Sequence, residues 1–306
     1  MRSKLPKVLQ SLAGRPLLAH VLDTAEALKP EQIVVVFGYG GEQVREYFAD
    51  RELNWVEQAQ QLGTGHAVKK AKAHLLPRGR PISELCLILN GDTPLLTQST
   101  VEQLISQHRD TQATVTILTT ELENPHGYGR VVRRANGQVI KIVEDNDVTV
   151  KEKANKEINV GTYVVNSLFL FKALDNLRPN NAQGEYYLTD IISLAVAEGL
   201  RVSAMKTADS SECFGINSRE HLSFAEQVMR SRIRSRWLQA GVTMLDPKTT
   251  LIDDTVEIGQ DTVLYPGVTI EGTTKIGSET VVRSHSRLTN SAVSYTHLTL
   301  PTILLV

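Results

Sequence analysis

Cysteine is nearly absent from this chain. Its 306 residues include two, Cys86 and Cys213, far apart in sequence. That excludes a disulfide framework and fits a reducing compartment, so a cytoplasmic location is expected. No apolar run approaches the roughly 20 residues that span a bilayer, so no membrane partner is expected. Neither sign of charge dominates: 33 Lys and Arg face 34 Asp and Glu, for a formal net charge of -1. Bulk electrostatics therefore give no ground for a nucleic-acid or membrane-surface partner. The eight histidines are scattered, and none has metal-ligand spacing with cysteine or carboxylate neighbours. The opening, "MRSKLPKVLQSLAGRPLLAH", has basic residues but no continuous apolar run or small-residue cleavage site, so it is not a signal peptide.

What is present is the composition of a folded soluble protein, with 41% hydrophobic and 22% charged residues. The length allows one large or two ordinary domains. "PLLAHVLDTAEALK" has helical spacing of apolar residues. "QIVVVFGYG" and "ELCLILNGD" read as strands buried on both faces, with Cys86 a small core residue. "GEQVREYFAD", "GTGHAVKKAKAHL" and about Gln98 to His108 read as helices, and "NWVEQ" as a short strand. Strands alternating with helices predict a mostly parallel sheet covered on both faces. "ATVTILTTEL", "GRVVRRANGQVIKIVED" and "INVGTYVVN" then read as strands, with a hairpin across Asn136-Gly137. "GEYYLTDIISLAVAEG" reads as a helix ended by Gly199. A long helix is expected from about Asn217 to Ala240. Its alternate arginines, from Arg230 to Arg236, do not form one stripe and read as a solvated helix rather than a nucleic-acid patch.

The last segment changes period. Apolar residues recur every six positions at Ile252, Ile258, Leu264, Ile270, Ile276, Val282 and Leu288. Small or β-branched residues stand two positions ahead of the last six of these. Such hexads mark a left-handed parallel β-helix. The next position, Ser294, breaks the pattern, and 294–306 is expected to be a non-native tail, with a terminal cap as the alternative.

Several stretches can carry chemistry, each with a plain alternative. Asn90, Gly91 and Asp92 follow a buried strand, where ligands of open α/β sheets bind. Asp92 either holds Mg²⁺ against a phosphate or caps the next helix. Gln58 precedes a Gly63-Thr64-Gly65 helix entry that suits either close ligand approach or an ordinary helix start. Tyr128 and Arg130 line a small pocket or form a tight turn. Glu144 accepts sugar hydroxyls or is a surface carboxylate, and Asn159 is equally open.

The order of "LPKVL", "QLGTGHA", "NGDTPLL", "GYGRVV", "IVE", "INVGTYVV", "NAQGEYYLTD" and "GIN" ahead of the hexads closely resembles one bacterial family. It is that of the bifunctional N-acetylglucosamine-1-phosphate uridyltransferases/glucosamine-1-phosphate N-acetyltransferases, over about residues 1–293. The resemblance implies a Rossmann-like mixed-sheet α/β domain lacking its first strand (1–216), a linker helix (217–245) and the start of a β-helix (246–293). It implies transfer of uridylyl from UTP to N-acetylglucosamine 1-phosphate, giving pyrophosphate and UDP-N-acetylglucosamine, a precursor of peptidoglycan and lipopolysaccharide. Mg²⁺ is the implied cofactor, with Asp92 and Asn217 as ligands; Asn217 also suits a helix N-cap. Lys7 is the implied phosphate contact, and Lys7 and Asp92 are the implied catalytic pair. Gln58, Gly63 and Thr64 read uracil, Asn90 and Gly91 lie near ribose and phosphates, and Gly129, Glu144 and Asn159 hold the acetylated sugar.

The chain departs from the family pattern at its ends. A glycine-rich loop of the form L-A-A-G-x-G-T-R-M, which grips the triphosphate, is expected ahead of Lys4, and only "MR" matches it. Met1 then reads as an internal methionine, and the polypeptide as given is expected to have little uridyltransferase activity. The residues for the second activity, acetyl transfer from acetyl-CoA to glucosamine 1-phosphate, are expected beyond the hexads present. So are the coils that build the family's homotrimer. The alternatives are another sugar-1-phosphate nucleotidyltransferase, or a silent sugar-nucleotide-binding module.

Overall fold

The computed structural model describes residues 1, 3–294 and the backbone of 297–298. The chain divides into two compact units: an α/β unit of residues 2–9 and 20–215, and a second unit of residues 1, 10–19 and 216–306. Most of the expected tail lies outside the described residues.

In chain order the hairpin β1 (Ser11–Leu12) and β2 (Arg15–Pro16) leads into helix α1 (Leu17–Ala27). There follow β3 (Val34–Phe37), α2 (Gly41–Tyr47), β4 (Asn54–Glu57), α3 (Thr64–Leu75), β5 (Leu85–Ile88) and α4 (Gln98–Asp110). Next come β6 (Val115–Glu121), β7 (Arg130–Arg133), β8 (Val139–Val143), β9 (Glu157–Asn166), α5 (Ser167–Asn176), α6 (Asp190–Ala197) and β10 (Val202–Lys206).

The α/β unit is built on β9. One edge of its C-terminal half pairs with β5 and the other with β6, both antiparallel, and Ile158 pairs with Arg130 of β7. Strand β10 extends the sheet parallel to β6, and β8 extends it antiparallel to β7. The sheet is mixed, not mostly parallel. Alternation along β6 fills two cores: Val115 and Ile117 face Leu170, Leu174, Ile191 and Ile192 of α5 and α6, whereas Leu118 packs with Val101 and Leu104 of α4. Thr116 points to the α4 side, where its hydroxyl meets Nδ1 of buried His108 at 2.9 Å.

Strands β3 and β4 form a separate two-stranded parallel sheet. This corrects the expectation for "VVVF" and "LCLI". Every residue of β3 and β5 is only half-buried. Each strand has a single strand partner among the described residues, so one edge lacks the neighbour whose side chains would complete its cover. Burial still pushes the Cys86 thiol up to about 11.

Two further differences concern helices. "GEYYLT" is not helical; α6 begins only at Asp190, because the preceding backbone is bonded to another segment, as described below. Helix α5, which was not anticipated, is capped by Asn166, whose side chain accepts from Phe169 N.

In the second unit, α7 (Arg219–Gln239) is capped by Ser218, whose Oγ accepts from His221 N at 3.1 Å; Asn217 is not the cap. The helix arginines are not a free basic face. Arg230 pairs with Glu226 and Asp253, and Arg236 with Asp254. Beyond α7, short strands stack in three parallel sheets: Ile252 on Ile270 on Leu288, Ile258 on Ile276, and Leu264 on Val282. All seven hexad residues are at most 6% exposed, and the small residues two ahead of them are buried too. This is the start of a parallel β-helix. After Ile276 the register is reached one residue early, by Val293 rather than position 294, so the interruption at Ser294 is a one-residue shortening of the last loop.

Candidate active site

Asp92 lies in the turn after β5. Its Oδ2 accepts a hydrogen bond from the Lys7 ammonium at 2.5 Å, so the structure brings together the two residues of the expected catalytic pair. Asn90 holds this turn to the sheet. Its Nδ2 donates to Val160 O at 3.3 Å, and its carbonyl accepts from Thr93 N and Oγ1. Gly161, at φ +84°, makes the approach possible, since a Cβ there would stand 2.2 Å from Asn90 Nδ2. Asn90 is thus engaged in framing the turn, and Gly91 lies between it and Asp92.

Glu144, at the end of β8, faces Gly129. A Cβ on Gly129 would lie 3.4 Å from Glu144 Oε2 and 2.9 Å from Ile142. The Gly129 carbonyl accepts from Asn159 N at 2.9 Å. Buried Asn159 donates from Nδ2 to Tyr163 Oη at 2.7 Å and accepts at Oδ1 from Gly161 N. Burial raises the pKa of Glu144 above the ordinary carboxylate range, a hydrogen bond from Thr189 works against this, and Asp190, Asp147 and Asp145 add to the rise. The three expected sugar residues therefore form one cluster. The loop carrying it is clasped by Asp145, which accepts from Gly127 N and from Arg130 at 2.9 Å each. Arg130 is buried and committed to this clasp rather than lining a pocket. Tyr128 is bonded at its hydroxyl by Gly215 N, and the charge of Asp92 reaches its phenol.

Gln58, Gly63 and Thr64 form a third cluster. Gln58 Nε2 donates to Gly63 O at 3.1 Å and meets His66 Nδ1 at 3.0 Å. Gly63 sits at φ +102°, and a Cβ there would lie 2.7 Å from Tyr186 O. Thr64 opens α3 and is exposed. Asn217 belongs to the second unit.

Sequence reasoning missed Thr189, Tyr163 and Asp145 as partners of these residues. The motif "NAQGEYYLTD" was in view, but reading its second half as helix concealed that Thr189 turns toward Glu144.

Residues 1–154 match the family of MobA-like NTP transferase domains. The chain belongs to that family. Its members' fold accounts for the mixed α/β unit, which is a nucleotidyltransferase unit. The resemblance read from the motifs is borne out as well. The chain is 44% identical over 293 residues to the bifunctional protein GlmU of Halalkalibacterium halodurans, covering 96% of this chain and 63% of that protein. It is 45% identical over 293 residues to that of Pediococcus pentosaceus, covering 96% and 62%. The chain thus spans less than two thirds of these relatives. Among solved structures, UDP-glucose pyrophosphorylase complexed with UDP-glucose matches with a TM-score of 0.56 at 17% identity, over 74% of this chain and 91% of that one. HddC from Yersinia pseudotuberculosis matches with 0.53 at 16%, over 75% and 92%. At such identities these two share the fold. No helix among the described residues is long and apolar enough to cross a membrane.

Proposed function

We propose that the α/β unit transfers uridylyl from UTP to N-acetylglucosamine 1-phosphate, releasing pyrophosphate and UDP-N-acetylglucosamine. The observation that carries this reading is the Lys7–Asp92 pair at the C-terminal end of β5, in a chain with this family membership. In such a transfer the sugar phosphate oxygen attacks the α-phosphorus and pyrophosphate leaves in line; catalysis is chiefly positioning and charge neutralisation. Lys7 offers its ammonium to phosphate oxygens once it leaves Asp92. The carboxylate of Asp92, partly exposed and already facing a cation, is a hard oxygen donor that suits Mg²⁺ with water completing the shell. Mg²⁺ bound there supplies positive charge to the phosphates. Gln58, with an amide that both donates and accepts, is proposed to read the uracil edge beside Gly63 and Thr64. Glu144 and Asn159 are proposed to hold sugar hydroxyl and acetamido groups over Gly129, and Asn90 to keep the phosphate turn in place. The acetyl transfer of the bifunctional proteins is assigned to no residue of this chain.

The test is a pyrophosphate-release assay with UTP and N-acetylglucosamine 1-phosphate, run beside panels of other nucleotides and sugar phosphates, with calorimetry on UDP-N-acetylglucosamine. Preference for the uridine and N-acetylglucosamine pair in turnover supports the reading. Preference for another pair identifies a different sugar-1-phosphate nucleotidyltransferase. Binding without turnover identifies a silent sugar-nucleotide module.

A further inference from the structure

The segment from Glu185 to Thr189 runs between two of the clusters described above and is bonded to both. At one end Tyr186 N donates to Leu62 O at 2.8 Å, Gly65 N donates to Tyr186 O at 2.8 Å, and Leu188 N donates to Thr64 Oγ1 at 3.1 Å. At the other, one residue further on, Thr189 Oγ1 donates to Glu144 Oε1 at 2.9 Å. The segment is also held from behind: Asn181 Oδ1 accepts from Gln183 N and Glu185 N, and its Nδ2 donates to Glu185 O. Thr189 is 3% exposed and directly precedes α6, so its hydroxyl has little freedom to turn elsewhere.

From this arrangement we infer that residues 185–189 act as a strap joining base recognition to sugar recognition. Thr189 is its positioning residue: it fixes the Glu144 carboxylate so that Oε2 faces Gly129. The inference rests on the reading of the two clusters as uracil and sugar sites. Its physical basis is that the strap is short and bonded at consecutive residues. A displacement of the 62–65 loop is carried across the single peptide bond from Leu188 to Thr189, and from there to the carboxylate. A hydrogen bond to a charged acceptor is among the stronger single contacts available to such a relay. A base that seats poorly against Gly63 and Thr64 therefore misplaces Glu144, and discrimination at one end is expressed at the other. That is a coupling free energy between two sites, and it is reciprocal.

Two kinds of measurement test it on the full chain, with Thr189→Val, Thr189→Ser and Thr64→Val. In the ligand-free protein the Glu144 carboxyl is titrated by carbon NMR. Thr189→Val, which removes the donor, is expected to move its midpoint upward; Thr189→Ser is expected to leave it in place. Thr64→Val, which touches Glu144 nowhere, is expected to move it in the same direction by releasing Leu188 N. In calorimetry Thr189→Val is expected to weaken UDP-N-acetylglucosamine about tenfold or more, to leave UDP within about twofold, and to be rescued by serine. An unmoved midpoint in Thr189→Val overturns the positioning role. An unmoved midpoint in Thr64→Val overturns the strap. A wild-type chain that binds neither ligand overturns the reading of the clusters instead, and the titrations then decide the strap alone.

Discussion

Replacing Gly161 by alanine tests how the Asp92 turn is registered on the sheet. Gly161 sits in β9 at φ +84°, beside the point where the pairing of β6 and β9 shifts register between Ile117 and Thr119. An L-residue held there costs about 1–2 kcal/mol in backbone strain. The new Cβ would also stand 2.2 Å from Asn90 Nδ2, so the Asn90 side chain must leave and its bond to Val160 O is lost. A lost neutral hydrogen bond costs about 0.5–1.5 kcal/mol. Together these predict a destabilisation of about 2–3 kcal/mol. Urea unfolding of the wild type and of Gly161→Ala, each with Asn90 intact and as Asn90→Ala, separates the parts. In the Asn90→Ala background only the backbone strain remains, so the glycine replacement should cost about 1–2 kcal/mol there. Equal costs in both backgrounds, or a cost below about 0.5 kcal/mol with Asn90 present, refute the reasoning. A displaced Asn90 also disturbs the turn that presents Asp92, so UDP-N-acetylglucosamine should bind more weakly to Gly161→Ala than to the wild type.

Other positions give sharper contrasts. Gly63→Ala meets the Tyr186 carbonyl at 2.7 Å and should cost about 1–3 kcal/mol and weaken UDP binding, whereas Gly79→Ala, at φ +77° with open space around it, should pay the backbone strain alone and leave binding unchanged. Ile270→Ala removes a fully buried side chain stacked between Ile252 and Leu288, and should cost about 2–5 kcal/mol by thermal or urea unfolding. Hydrogen bonds from Lys141 and Thr149 hold Glu152 down to about 2, from an ordinary value of 4.5. Its contribution to stability is therefore complete above about 4.5 and fades as pH falls toward 2; in Glu152→Gln that part of the acid dependence should vanish from the unfolding curves.

The β-helix was legible in the sequence because its rule is local and repeats: each hexad places one apolar side chain inward, and all seven are buried. The shortened loop before Val293 was not, since a one-residue register change leaves no mark until the partner strand is known. In the α/β unit, apolar runs placed the strands but misjudged the cover of β3 and β5, because burial depends on neighbours that a run does not name. "GEYYLT" has the residues of a helix start; its conformation is decided instead by bonds to Leu62, Thr64 and Gly65, more than a hundred residues earlier. The same reason governs the site. Lys7, Asp92, Glu144 and Asn159 are proposed for the site through motifs, whereas Thr189 and Tyr163 enter only through what the fold sets beside them.

The split of the α/β unit into a six-stranded sheet and the separate β3–β4 pair has a consequence for how the unit opens. In a parallel pair, successive amides of a strand point to opposite sides, so half of those in β3 face away from β4 toward an edge with no strand partner among the described residues. Two strands alone are marginal, and their hold depends on α3, which packs against both. Amide protons of β3 and β4 should therefore exchange with solvent through small, frequent openings, while those at the centre of β6 and β9 wait for unfolding of the whole unit. The Gln58–Thr64 loop that follows β4 thus hangs from a strand pair that opens more readily than the sheet carrying the Glu144 cluster.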